Sequence, residues 1–212
     1  MNDQADIQER QEEAGFWQRY WFAVLAAVMI VAIAGVVGYQ YWQSKQIPVM
    51  KPINDFTLEH LDGSPFHFQD TAGKVRLVTF IYTQCPDVCP QTSKNMEYLQ
   101  EKLKQENLFG DKVVFLSVTF DPEHDTPEVL RNYAEKFSYD PTGWIFLRGE
   151  EQTVFDVAKQ FGVGIMKQPD GLYVHTMRTF LIDGEGNMRR AYGMADEMDI
   201  DKIMADMEQL AD

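Results

Sequence analysis

Val75-Arg76-Leu77-Val78-Thr79-Phe80-Ile81-Tyr82, followed at once by Cys85-Pro86-Asp87-Val88-Cys89-Pro90, decides how this chain is read. The first run is apolar and β-branched, the pattern of a buried strand. The second holds the only two cysteines among 212 residues, four positions apart. Gln91 to Asn107 then reads as a helix. Met96, Leu99 and Leu103 recur at i, i+3 and i+7, while Lys94, Glu101, Lys102 and Lys104 turn elsewhere. Two thiols therefore sit at a strand-to-helix junction, where they can close a disulfide or hold a soft metal.

Working outward, Phe56–Leu61 and Pro65–Phe68 flank Asp62-Gly63, a tight-turn signal, and predict a hairpin. Lys112–Phe120 predicts a second buried strand. Thr126-Pro127-Glu128 opens a helix, with Thr126 able to cap it and Pro127 suited to its first position. Trp144–Leu147 reads as a short strand and Gln152–Phe161 as a helix. Leu172–Asp183 and Met188–Tyr192, joined by Gly184-Glu185-Gly186-Asn187, read as a hairpin, and Asp196–Leu210 as a terminal helix. This order predicts an α/β fold with a mixed central sheet flanked by helices. A cysteine pair where a buried strand meets a helix is the thioredoxin-like arrangement.

Residues 1–16 are polar and acidic and are expected to form a disordered or fraying tail. Residues 17–42 read as one transmembrane helix. No charge occurs from Tyr20 to Tyr39, and about 20 apolar residues cross a core of roughly 30 Å. Trp17, Tyr20, Trp21, Tyr39, Tyr41 and Trp42 gather at its two ends, as amphipathic rings do at membrane interfaces. A cleaved signal peptide fits less well, because 19 residues precede the stretch and no Ala-x-Ala pattern follows it. Residues 43–52, with Pro48 and Pro52, read as a linker, and 53–212 as one domain. Arg10 and Arg19 before the span nearly balance Lys45 and Lys51 after it, so charge alone sets no orientation. The net charge of −14 argues against nucleic acid as a partner, since its phosphates need Lys and Arg.

The closeness of Cys85 and Cys89 argues against a purely structural disulfide, because closing so short a loop removes little unfolded-state entropy. A helix N-terminus favours the thiolate. Cys-x-x-x-Cys is one residue longer than the familiar redox motif Cys-x-x-Cys. A metal would need a third ligand, and the chain offers four histidines. His60 and His67 fall in the first hairpin and are expected to face solvent or sheet. His124 lies in a loop at the end of strand 112–120, near the carboxyl edge where the cysteine loop also lies. His175 precedes Thr179-Phe180-Leu181-Ile182, and composition alone assigns it no special role.

Taken together, Cys85-Pro86-Asp87-Val88-Cys89-Pro90, Asp121-Pro122-Glu123-His124-Asp125-Thr126-Pro127 and His175 resemble the Sco/SenC family over residues ~53–210. The resemblance implies a thioredoxin-like domain tethered to a membrane on its extracytoplasmic side. It also implies a copper-binding chaperone that assists assembly of the dinuclear CuA centre of cytochrome c oxidase. Its ligands would be Cys85, Cys89 and His175, its cofactor a copper ion, Cu(I) or Cu(II). Its partners would be the copper-accepting oxidase subunit and a thiol reductant. Thiolates select Cu(I) and imidazole serves both oxidation states. Only the reduced pair can bind, so redox state and metal loading are coupled.

The alternative is a thiol-disulfide oxidoreductase in which Cys85 attacks and Cys89 resolves. The chain departs from the family pattern at His124, where arginine is common, and at Val174, where an acid often precedes the histidine. His124 is thereby a candidate extra ligand or proton carrier. Met188, Met194, Met198, Met204 and Met207 are expected in the core, with a transient Cu(I) site as the other use of their thioethers. Asp125 is expected to cap the helix that follows it.

Overall fold

The computed structural model describes residues 3–169 and 173–211. It divides into two compact units, Met1–Gln46 and Ile47–Asp212. In the first, helix α1 runs Asp3–Lys45 without a break, so it also takes up the stretch read as a fraying tail. Arg19–Tyr41 within it is long and apolar enough to cross a membrane, about 35 Å at ~1.5 Å per residue.

The second unit is built on a six-stranded sheet. In chain order the strands of this unit are β1 (Lys51–Pro52), β2 (Thr57–Glu59), β3 (Pro65–His67), β4 (Val75–Ile81), β5 (Val113–Thr119), β6 (Trp144–Leu147), β7 (Ile165–Lys167), β8 (Tyr173–His175), β9 (Thr179–Ile182) and β10 (Asn187–Tyr192). The helices are α2 (Val88–Gln105), α3 (Pro127–Glu135), α4 (Glu151–Gln160) and α5 (Ile200–Ala211). The sheet order is β1-β10-β9-β4-β5-β6. β4, β5 and β6 are parallel, whereas β9 runs antiparallel to β4 and β10 antiparallel to β9, which makes the sheet mixed as expected.

Every residue of β4 and of β5 is buried, which explains why both read as continuous apolar runs rather than alternating ones. Their parallel register, Val75↔Val113 through Ile81↔Thr119, brings the segments that follow them to one edge. The cysteine loop and the Asp121–Pro127 loop therefore emerge side by side. Helix α3 begins as predicted, with Pro127 in its first turn and the Thr126 hydroxyl accepting from the Val129 amide at 3.3 Å. Aromatic rings fill the interior around β4: Phe161 stands 5.3 Å from Phe80 and 5.4 Å from Phe180 between ring centroids.

Three sequence expectations change. The unit begins at Ile47, which is buried, and β1 pairs with β10, so part of the expected linker belongs to the sheet. The first hairpin forms, but β2 and β3 make a separate two-stranded ribbon. The expected strand Leu172–Asp183 is two strands. β9 joins the main sheet, while β8 pairs with the unanticipated β7 in a ribbon of their own. Leu172 itself lies outside the described residues. The five C-terminal methionines are buried, so their thioethers are core.

Candidate metal centre

Helix α2 starts at Val88, one turn before the expected Gln91, and Cys85 lies ahead of it, so the two thiols do not share a helical face. Cys89 falls in the first turn and Cys85 in the turn before it. Asp87 occupies the capping position without a side-chain cap. The Cys85 sulfur does that work instead, accepting the Cys89 amide at 3.3 Å. Pro90 has no amide hydrogen to leave orphaned at the helix start. Cys89 is fully buried and Cys85 half-buried, both as free thiols.

This placement splits their acidities. A hydrogen bond from the Cys89 thiol, joined by the amides of Cys89, Asp87 and Val88, outweighs burial and holds Cys85 at about 6. The same bond, and then burial, pushes Cys89 far up. At neutral pH Cys85 is the thiolate and Cys89 the thiol that donates to it.

His175 ends β8. Its ring lies 4.9 Å from the Phe120 ring and 6.3 Å from that of Tyr82. Tyr173 packs on both of those rings and donates its hydroxyl to Asp121 Oδ1 at 3.2 Å. His175 Nδ1 lies 3.1 Å from the Thr176 carbonyl oxygen. A carbonyl can only accept, so Nδ1 carries the hydrogen and Nε2 keeps its lone pair in the neutral ring. Burial lowers the affinity of the ring for a second proton, against the pull of that carbonyl. The backbone carbonyl thus supplies the orienting partner that Val174 does not.

Cys85 and His175 line one cavity of about 300 Å³, together with Tyr82, Tyr173, Val174 and Met177. Cys89, fully buried, is not among the residues that line it. Among the described residues, the two sulfurs and the imidazole do not form a group whose ligand atoms all lie within 4.8 Å of one another. Two thiolates and a neutral imidazole suit a soft monovalent metal.

The other histidines are elsewhere. His60 lies edge-on to Phe66 with centroids 5.4 Å apart, and His67 Nδ1 sits 3.0 Å from Thr57 Oγ1, both in the β2–β3 ribbon. His124 is exposed, with Nδ1 3.3 Å from Asp125 Oδ1. With Asp121 and Asp125 it forms a group whose ligand atoms lie within 4.8 Å. Asp125 does not cap α3, contrary to expectation. Its buried carboxylate accepts the Thr83 amide, the Thr83 hydroxyl and the Thr119 hydroxyl. It ties the cysteine loop to the end of β5, a role that sequence reasoning missed along with Met177 in the cavity wall.

A parallel βαβ core with a cysteine loop at its carboxyl edge, one thiol acidic and the other buried, defines a thioredoxin-like protein with a redox-capable pair. Residues 45–212 match the SCO1/SenC family model. The chain belongs to that family. A SCO1/SenC family lipoprotein from Bacillus anthracis superposes with a TM-score of 0.71 at 32% identity, covering 76% of this chain and 96% of that one. BsSco, described through a disulfide switch and as a member of the Sco family of cytochrome c oxidase assembly proteins, gives 0.68 at 28% identity, covering 77% and 96%. Arabidopsis thaliana ScoI, solved with copper bound, gives 0.64 at 28%, covering 74% and 98%.

Proposed function

We propose that this chain is a membrane-anchored copper chaperone that assists assembly of the dinuclear CuA centre of cytochrome c oxidase. Cys85, Cys89 and His175 are its copper ligands. The observation that carries this reading is the cavity shared by the acidic Cys85 thiol and the neutral His175. Copper-bound relatives of the same fold support it.

In the reduced protein Cys85 offers a thiolate, Cys89 surrenders its proton, and His175 Nε2 supplies the third donor. A site of three donors open to solvent on one side suits a cargo that must leave by ligand exchange, unlike a closed four-ligand structural site. The acceptor is the copper-receiving oxidase subunit. Oxidation of the pair removes both thiolates, so a thiol reductant must act before loading. Helix α1 holds the domain at the membrane, and the domain works on the extracytoplasmic side, where thiols tend to oxidise.

The test is a copper titration of the detergent-solubilised chain, reduced and oxidised, with His175 intact and as His175→Ala. The reduced parent is expected to bind one copper tightly and the oxidised parent none. Equal affinity of His175→Ala and parent would refute the three-ligand model.

The split acidities favour a second reading, thiol-disulfide oxidoreductase. Cys85 would attack a partner disulfide as thiolate, and Cys89 would then lose its proton and resolve the mixed disulfide. In that reading His175→Ala leaves disulfide exchange mostly intact, which separates the two.

A further inference from the structure

Among the described residues Met177 is one of three exposed methionines of the second unit, beside Met50 and Met166, and the one of them that lines the cavity of Cys85 and His175. Met96, Met188, Met194, Met198, Met204 and Met207 are buried, as methionine gap-fillers usually are, whereas Met177 is 54% exposed. Yet it is not a stray surface residue, because its side chain lines the same cavity as Cys85 and His175.

The backbone explains the placement. The Arg178 amide bonds the Thr176 carbonyl at 3.1 Å, which makes Met177 the centre of a three-residue turn between β8 and β9. Thr176 is pinned on both sides of its own backbone. Its amide bonds the Gly164 carbonyl at 3.0 Å and its hydroxyl accepts the Gly164 amide at 3.1 Å. Its carbonyl also receives His175 Nδ1. One anchored residue therefore positions the imidazole before it and the thioether after it.

We propose that Met177 is a fourth, labile donor to copper, its thioether closing the open side of the Cys85–Cys89–His175 site over Cu(I). The proposal rests on the copper reading above. A thioether is neutral and soft, so it favours Cu(I) without adding charge to two thiolates. It carries no proton, so it binds and leaves at any pH without acid-base cost. Being half-exposed on the rim, it is the donor an incoming acceptor side chain can displace first. The step is ligand exchange: the bond from Met177 sulfur to copper breaks, one from the acceptor forms, and no electron moves.

The experiment compares the detergent-solubilised parent with Met177→Leu, a swap that keeps size and apolarity. Copper K-edge X-ray absorption of the Cu(I) form reads the donor shell, and competition with a chromophoric Cu(I) chelator reads affinity. The parent is expected to show three sulfurs and one nitrogen, and Met177→Leu two sulfurs and one nitrogen. Cu(I) affinity should fall on the order of tenfold, the lower end of what a supporting group around a metal contributes. Cu(II) affinity should change less. Thermal unfolding of the copper-free forms should coincide, which excludes misfolding as the cause.

An unchanged shell of two sulfurs and one nitrogen in both proteins, with equal Cu(I) affinity, overturns the role of Met177 and leaves the three-ligand site standing. Failure of the parent to bind copper at all overturns the copper reading itself.

Discussion

Thr83 gives both its amide and its hydroxyl hydrogen to the buried carboxylate of Asp125. Asp125 also accepts from Thr119 at the end of β5. The carboxylate thereby clamps the two segments that leave the carboxyl edge of the sheet, two residues ahead of Cys85.

Removing this clamp should be costly. Asp125→Ala leaves buried donors without partners, at about 1–3 kcal/mol for each such group. A total near 3 kcal/mol lowers Tm by roughly 6–12 °C in a domain of this size. Asp125→Asn keeps one acceptor oxygen and should lose less. Thermal unfolding of the reduced proteins checks this, and a shift of Asp125→Ala below about 2 °C would show the clamp to be dispensable.

The lowered pKa of Cys85 predicts a pH profile for alkylation. An acid held at about 6 is mostly thiol below that pH and mostly thiolate above it. Only the thiolate reacts. Iodoacetamide should therefore modify the reduced protein at a rate that rises through about pH 6 and levels off by neutrality, with Cys85 labelled and Cys89 spared. Peptide mass spectrometry locates the label. A profile rising only near the ordinary thiol value of 9.0 would contradict the hydrogen bond from Cys89.

Much of this arrangement was legible in the chain because it rests on local or periodic signals. β4 and β5 announced themselves as unbroken apolar runs, and Thr126-Pro127 marked the start of α3. The pair at the strand-to-helix junction located the site edge. What escaped depends on distant partners. β7 is three residues long and partly exposed, with no pattern of its own until β8 lies beside it. Asp125 sits where a helix cap belongs, and only the parallel register of β4 and β5 shows that Thr83 comes to meet it. The importance of Met177 likewise depends on a turn that no single-residue propensity encodes.

Metal uptake should release protons in a pattern set by the split pair. At pH 7 Cys85 is already a thiolate and His175 neutral, so Cys89 alone gives up a proton. One proton per copper is expected at pH 7–8, rising toward two as pH falls through about 6, because Cys85 then also holds one. Calorimetry in buffers of differing ionisation enthalpy counts the protons. Two protons per copper at pH 8 would mean that Cys85 is an ordinary thiol.

The anchor makes the last prediction. Arg19–Tyr41 spans about 35 Å at ~1.5 Å per residue, enough for a hydrocarbon core of roughly 30 Å. The full chain should stay with membranes through an alkaline wash, whereas a chain beginning at Ile47, where the second compact unit starts, should remain in the supernatant. Sidedness is tested through the half-buried Cys85, which a membrane-impermeant maleimide can reach. In sealed right-side-out vesicles, treated first with a reductant that does not cross the bilayer, Cys85 should label without detergent. Labelling that appears only after the bilayer is opened would place the domain on the cytoplasmic face. There the ambient thiol pool keeps such a pair reduced, and a dedicated reductant would have nothing to do.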